Sequence, residues 1–179
     1  MAFQTILKIK PWLTTILVFL LLGGCAGVSE WNRTQASPCQ YIDTPVLYFG
    51  HPVAAYNSGV EAELVEKIKK HFPGWHVENP NQLHHQEGYR RWKKETGNGM
   101  NYYFKVVLPK LHGGIFLPYR DGKWGAGVYG EALFIFKQGC PIWEVKPDGT
   151  ILSTDPESMR LQGGTLSIFE TGTRNKMPY

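Results

Sequence analysis

The feature that most restricts the fold of this chain is an alternation of short apolar runs with longer amphipathic stretches. Val46-Leu47-Tyr48-Phe49, stopped by Gly50-His51-Pro52, is too short for a helix and apolar on both faces. Gly114-Ile115-Phe116-Leu117 repeats the pattern, and Pro141-Ile142-Trp143-Glu144-Val145 follows it loosely. Such runs are strands covered on both sides. Between them, Asn57 or Ser58 can cap a helix from Gly59 to about Phe72. Its Val60, Leu64, Ile68 and Phe72 recur at four-residue steps, while Glu61, Glu63, Lys67, Lys69 and Lys70 face out. Pro73-Gly74 ends it, and Trp75-His76-Val77 is a weak second strand. Leu83 to Lys94 reads as a polar helix, Thr96 to Gly99 as a break, Met100 to Leu108 as a further helix ended by Pro109, and Val128 to Lys137 as another. The turn Pro147-Asp148-Gly149 predicts that Thr150-Ile151-Leu152 returns as a hairpin. Strands separated by helices pair in parallel through right-handed crossovers. The expected architecture is α/β: a small doubly wound parallel sheet of four to five strands in three layers, spanning residues 45–152, with 153–179 as an irregular tail.

The first 44 residues read differently. Lys8 and Lys10 precede an apolar run from Trp12 to Leu22, and Gly23-Gly24-Cys25 closes it. A basic start, a short apolar core and a small-residue exit make a secretory signal. The run falls short of the about 20 residues that a spanning helix needs. Leu22-Gly23-Gly24-Cys25 resembles the lipobox of bacterial lipoproteins. The resemblance implies removal of residues 1–24, acylation of Cys25, a membrane partner through that lipid, and a polar tether over 25–44. Ala26 after the cysteine implies the outer membrane by the same likeness. Cleavage removes Lys8 and Lys10 and no acid, and lowers the formal net charge from +4 to about +2. The remaining balance argues for no nucleic-acid partner. Cys39 and Cys140 remain, and an oxidising compartment suits a bridge between them.

In open α/β sheets, ligands bind at the carboxyl ends of the strands. That rule selects the loops Gly50 to Asn57 and Tyr119 to Gly127. The same loops carry a second likeness. Tyr48-Phe49-Gly50, then Gly114 to Pro118, Asp121, the glycines around Gly125 and Gly127, Glu131, and Gly139 to Trp143 follow the order of elements in nucleoside 2-deoxyribosyltransferases. The chain resembles that superfamily, of flavodoxin- or Rossmann-like fold, over about 100 residues, with few identities. The resemblance implies that Glu131 is the catalytic nucleophile, Tyr48 orients it and Asp121 contacts the nucleobase. Gly50, His51, Asn98, Arg120, Lys123, Gly125 and Gly127 would line the substrate. A carboxylate suits this chemistry because N-glycoside cleavage passes through an oxocarbenium-like state. Glu131, read as lying in the first turn of its helix, would be kept ionised by the helix dipole.

The implied ligand is a nucleoside or nucleotide, with no cofactor, and relatives of this fold often form homo-oligomers. Two other readings use the same residues: an envelope lipoprotein that keeps the fold without the chemistry, and a nucleosidase acting on a dinucleotide such as NAD, its phosphates met by Arg120 and Lys123. No metal is expected. His84 and His85 are adjacent on a helix and would point apart, and neither they nor His76 has a carboxylate or cysteine at ligand spacing.

Overall fold

The computed structural model describes residues 44–179. The expected signal segment, Cys25, Cys39 and the expected tether up to residue 43 lie outside the described residues. Among the described residues no helix is long and apolar enough to cross a membrane.

Five strands form one sheet in the order β2-β1-β3-β4-β5. β1 (Val46–Gly50), β2 (His76–Glu78), β3 (Gly113–Phe116) and β4 (Ile142–Val145) run parallel. β5 (Ile151–Ser153) is antiparallel to β4. The expected α/β three-layer sheet is present. β5 reverses because its connection is too short for a crossover. The Asp148 carboxylate accepts the Thr150 amide at 2.8 Å, and Gly149 takes a φ of 89°.

The helices are α1 (Gly59–His71), α2 (Leu83–Thr96), α3 (100–110), α4 (Ala126–Lys137), α5 (Pro156–Leu161) and α6 (Ile168–Arg174). α3 changes its winding along its length: an α turn at Met100–Tyr102, a wider π segment at Tyr103–Val107 and a tighter 3-10 turn at Leu108–Lys110. Both expected capping residues start α1. The Glu61 amide donates to Ser58 Oγ at 3.2 Å, and the Asn57 amide donates back to the Glu61 carboxylate at 2.5 Å. Glu61 therefore does not face out as its helical position suggested. It is buried, and it also accepts from the Asn79 and Asn81 side-chain amides.

Alternation along β1 divides the core. Leu47 and Phe49 pack with Ile115, Leu117 and Val145 against Leu64 and Ile68 of α1. Tyr48, Phe116 and Ile142 face the other way, against Val107 and Leu108 of α3 and Ala132 and Ile135 of α4. Gly50 stands where a Cβ would lie 2.5 Å from the Phe116 ring, so its lack of a side chain serves packing. Cys140 is buried and disulfide-bonded, and the other half of that bridge lies outside the described residues.

The C-terminal stretch is not the irregular tail read from the sequence. It contains α5 and α6 and is stitched to the loop after β3. The Trp124 amide donates to the Gly164 carbonyl and the Leu166 amide to the Trp124 carbonyl, both at 2.8 Å. Trp124 itself is fully buried, and its indole N–H donates to Glu144 Oε2 at 2.8 Å.

Candidate active site

The strand order reverses between β1 and β3, since the chain leaves β1 toward β2 and returns across it to β3. A crevice at the carboxyl ends of those two strands follows from this topology. A cavity of about 320 Å³ occupies it. The loop after β1 contributes His51 and Tyr56, and α2 and α3 contribute Gln86, Tyr89, Met100 and Tyr103. Tyr119, Gly125, Gly127 and Glu131 come from the β3–α4 segment, and Thr171 and Asn175 from the C-terminal stretch.

Glu131 lies in the second turn of α4, because that helix begins at Ala126, two residues before the expected Val128. The dipole and free amides of the helix start therefore do not hold it ionised. It is buried, and burial raises its pKa from the ordinary 4.5 to about 8. The Tyr48 hydroxyl opposes this shift from beneath. Tyr48 is fully buried on β1, its ring between Tyr103 at 6.4 Å and Phe116 at 6.2 Å. Its hydroxyl reaches toward Glu131 without closing a hydrogen bond of normal geometry. The result is a largely neutral carboxyl at the cavity floor, next to a phenol whose own ionisation burial suppresses.

The aromatic walls are neutral too. Burial raises the Tyr56 and Tyr103 hydroxyls well above their usual range. His51 is held by Asn79 Oδ1 at 3.2 Å and lies 3.5 Å from Glu61 Oε1. Burial lowers its proton affinity, with Glu61 opposing.

The structure thus brings Tyr48, His51, Gly125, Gly127 and Glu131 to one place, and leaves other expected residues elsewhere. Asp121 is tied to Arg174 at 2.8 Å, a pairing that helps depress its pKa. It does not line the cavity. Arg120 donates to the Tyr179 carbonyl at 2.8 Å, and Lys123 also stands outside the lining. Asn98 is exposed and accepts the Met100 amide at 3.0 Å, which makes it a helix-start residue. Gly50 meets Phe116 instead of a ligand. Asp121 and Arg120 find their partners on the C-terminal stretch, whose position sequence spacing does not encode.

Tyr56, Gln86, Tyr89, Tyr103, Thr171 and Asn175 were not read as site residues. Tyr103 was placed on the apolar face of its helix, where a buried aromatic is indistinguishable from core. Thr171 and Asn175 had a legible signal. The spacing of Ser167 and Glu170 is that of a capping box, and the structure contains one. A helix from there presents residues four apart on one face. Thr171 Oγ1 accepts the Ala126 amide at 2.8 Å, and Asn175 Oδ1 accepts the Tyr119 hydroxyl at 2.7 Å. The expectation that His84 and His85 point apart is also overturned. Their ring centroids lie 3.9 Å apart, and both rings reach the Glu78 carboxylate.

No family model, curated protein or solved structure matches the chain.

Proposed function

We propose that the domain binds a nucleoside, or an N-glycoside of that size, and cleaves its glycosidic bond with Glu131. The observation that carries this reading is a buried, neutral carboxyl at the floor of a cavity walled by aromatic rings. The cavity volume falls at the lower end of the range for small-molecule pockets, about 300–1,000 Å³. Tyrosine rings offer stacking faces for a base, and Gln86 and Asn175 offer donors and acceptors for its edge.

A neutral carboxyl changes the role that the family likeness implies. Glu131 gives its proton to the departing base nitrogen, which takes the electron pair of the breaking C–N bond. The carboxylate left behind stabilises the sugar cation that forms beside it. Addition of water to the sugar carbon returns a proton to Glu131. Collapse of the carboxylate onto the same carbon is the covalent route of the deoxyribosyltransferases. Among the described residues that line the pocket there is no Lys or Arg. That favours a nucleoside over a nucleotide or an NAD-type dinucleotide.

The test is a thermal-shift screen of nucleosides, nucleotides, NAD and free bases, followed by assay of base release against pH. Binding at a hundredfold excess over Kd adds about 2.7 kcal/mol to stability. Because the acid form acts, the rate should hold up to about pH 8 and fall tenfold per unit above it. A rate that rises through pH 8 would instead mean attack by the ionised carboxylate. Asp121 is paired with Arg174, and Glu131 is the single carboxyl among the described residues that line the cavity. This favours a second reading, a binding lipoprotein without turnover, for which a shift without base release is the signature.

In the same proposal, residues 1–24 direct export and Cys25 carries the lipid that holds the domain at the outer membrane. Labelled palmitate fed to expressing bacteria should enter the unaltered chain and be absent from Cys25→Ser. Equal labelling of both would end the lipoprotein reading.

A further inference from the structure

Apart from the residues that line the Glu131 cavity, three histidines converge on one carboxylate. Glu78 is the last residue of β2, and His84 and His85 stand in the first turn of α2. Between them the chain needs only the turn at Asn79 to Gln82, so strand end and helix start are forced together. His85 Nε2 lies 2.5 Å and His84 Nε2 3.2 Å from Glu78 Oε1. His76, two residues before Glu78 and on the same face of the strand, places its Nε2 3.4 Å from Glu78 Oε2. The ligand atoms of Glu78, His84 and His85 all lie within 4.8 Å of one another.

We infer that Glu78, His84 and His85 form a binding site for a divalent transition-metal ion of the zinc type. The donor set, two imidazoles and a carboxylate, suits zinc and its neighbours and is poor for magnesium or calcium. The spacing suits it as well. Zinc–nitrogen and zinc–oxygen bonds of about 2.0–2.2 Å in a tetrahedron put ligand atoms roughly 3.3 Å apart. The observed 3.2 Å is close to that value and 2.5 Å falls below it, so a small rotation that draws His85 and Glu78 apart completes the geometry.

The surroundings support one imidazole in the ligating form. His85 is buried, and its other ring nitrogen, Nδ1, is 3.0 Å from the Tyr102 hydroxyl. A proton on Nδ1, donated to that oxygen, leaves the Nε2 lone pair facing Glu78. Without a cation or a shared proton, that lone pair and the carboxylate oxygen would repel each other at this distance. The helix start opposes positive charge, and the Glu78 carboxylate offsets it. His84 and His76 are exposed, which gives an ion a way in. The cluster also opens on a separate cavity of about 310 Å³, bounded by Val46, Tyr102 and Val107. Among the described residues it shares no side chain with the Glu131 pocket, so the two proposals stand or fall separately.

The experiment is calorimetric titration of the full chain, first stripped with a chelator, using zinc chloride, with magnesium chloride as control. His84→Ala removes an exposed side chain, and Glu78→Gln keeps the shape of the carboxylate, so both should fold. One saturable equivalent of zinc is expected, weakened about 100-fold or more in each variant, with no heat from magnesium. Cobalt(II) added to the unaltered chain should give visible absorption of a four-coordinate nitrogen and oxygen site, which zinc bleaches. Absence of a saturable equivalent, its retention in either variant, or equal binding of magnesium overturns the proposal.

Discussion

Replacing Glu131 with Gln is expected to lower base release from a cleavable nucleoside by about 10²–10⁴-fold at neutral pH, the usual contribution of a positioned acid. Glutamine keeps the size and polarity of the side chain and removes only its transferable proton. Binding measured by thermal shift should therefore survive. Full activity in this variant would sink the proposed mechanism whatever the ligand.

The same variant has a stability signature. The folded pKa of Glu131 is raised to about 8, so the folded protein holds this proton more tightly than the unfolded chain does. The sign follows from proton linkage. Stability from this group is complete below the ordinary value of 4.5 and is lost as pH rises through about 8. Each pH unit in that window costs about 1.4 kcal/mol. Glu131→Gln should abolish the slope, and near pH 8 it should unfold at higher denaturant than the unaltered protein. Lost activity with gained stability is the mark of a group kept for function. A variant less stable than the parent at pH 8 would mean that the carboxyl is structural.

The largest expected loss of stability follows Trp124→Ala, about 3–5 kcal/mol, from the cavity it leaves. The indole is fully buried beside Phe116, at a centroid distance of 5.5 Å, and its N–H satisfies Glu144. Truncation removes the packing and leaves a carboxylate without its donor. Because the Trp124 backbone pairs with Gly164 and Leu166, the damage should spread to the C-terminal stretch. That stretch carries Thr171 and Asn175 at the cavity wall. Denaturant unfolding gives the stability, and hydrogen exchange of α6 reports the spread. A change below about 1 kcal/mol would show that the strap holds without this anchor.

Much of the fold was legible because its signals are local. Runs of four or five apolar residues between helical patterns read as strands covered on both faces, and Asn57 or Ser58 marked the start of α1. Asp155-Pro156 before α5, and Ser167 with Glu170 at α6, carried start signals of the same kind. They sit in a polar stretch with little apolar periodicity, which concealed them. The site was legible in part. Topology alone selected the loops after β1 and β3, and Glu131, Tyr48 and His51 do meet there. Asp121 and Arg120 were expected there too, but the C-terminal stretch supplies Arg174 and Tyr179 as their partners.

The sequence by itself determined the alternation of elements, the parallel sheet, and the end of the sheet at which a crevice must open. These follow from hydrophobic period and chain connectivity, which are read residue by residue. Only the tertiary structure decided which side chains reach that crevice, that Glu131 is neutral there, and that His84 and His85 close on Glu78. Proton affinity depends on desolvation, and ligand geometry on groups within a few ångströms. Both are set by segments folded against one another, for which spacing along the chain carries no record.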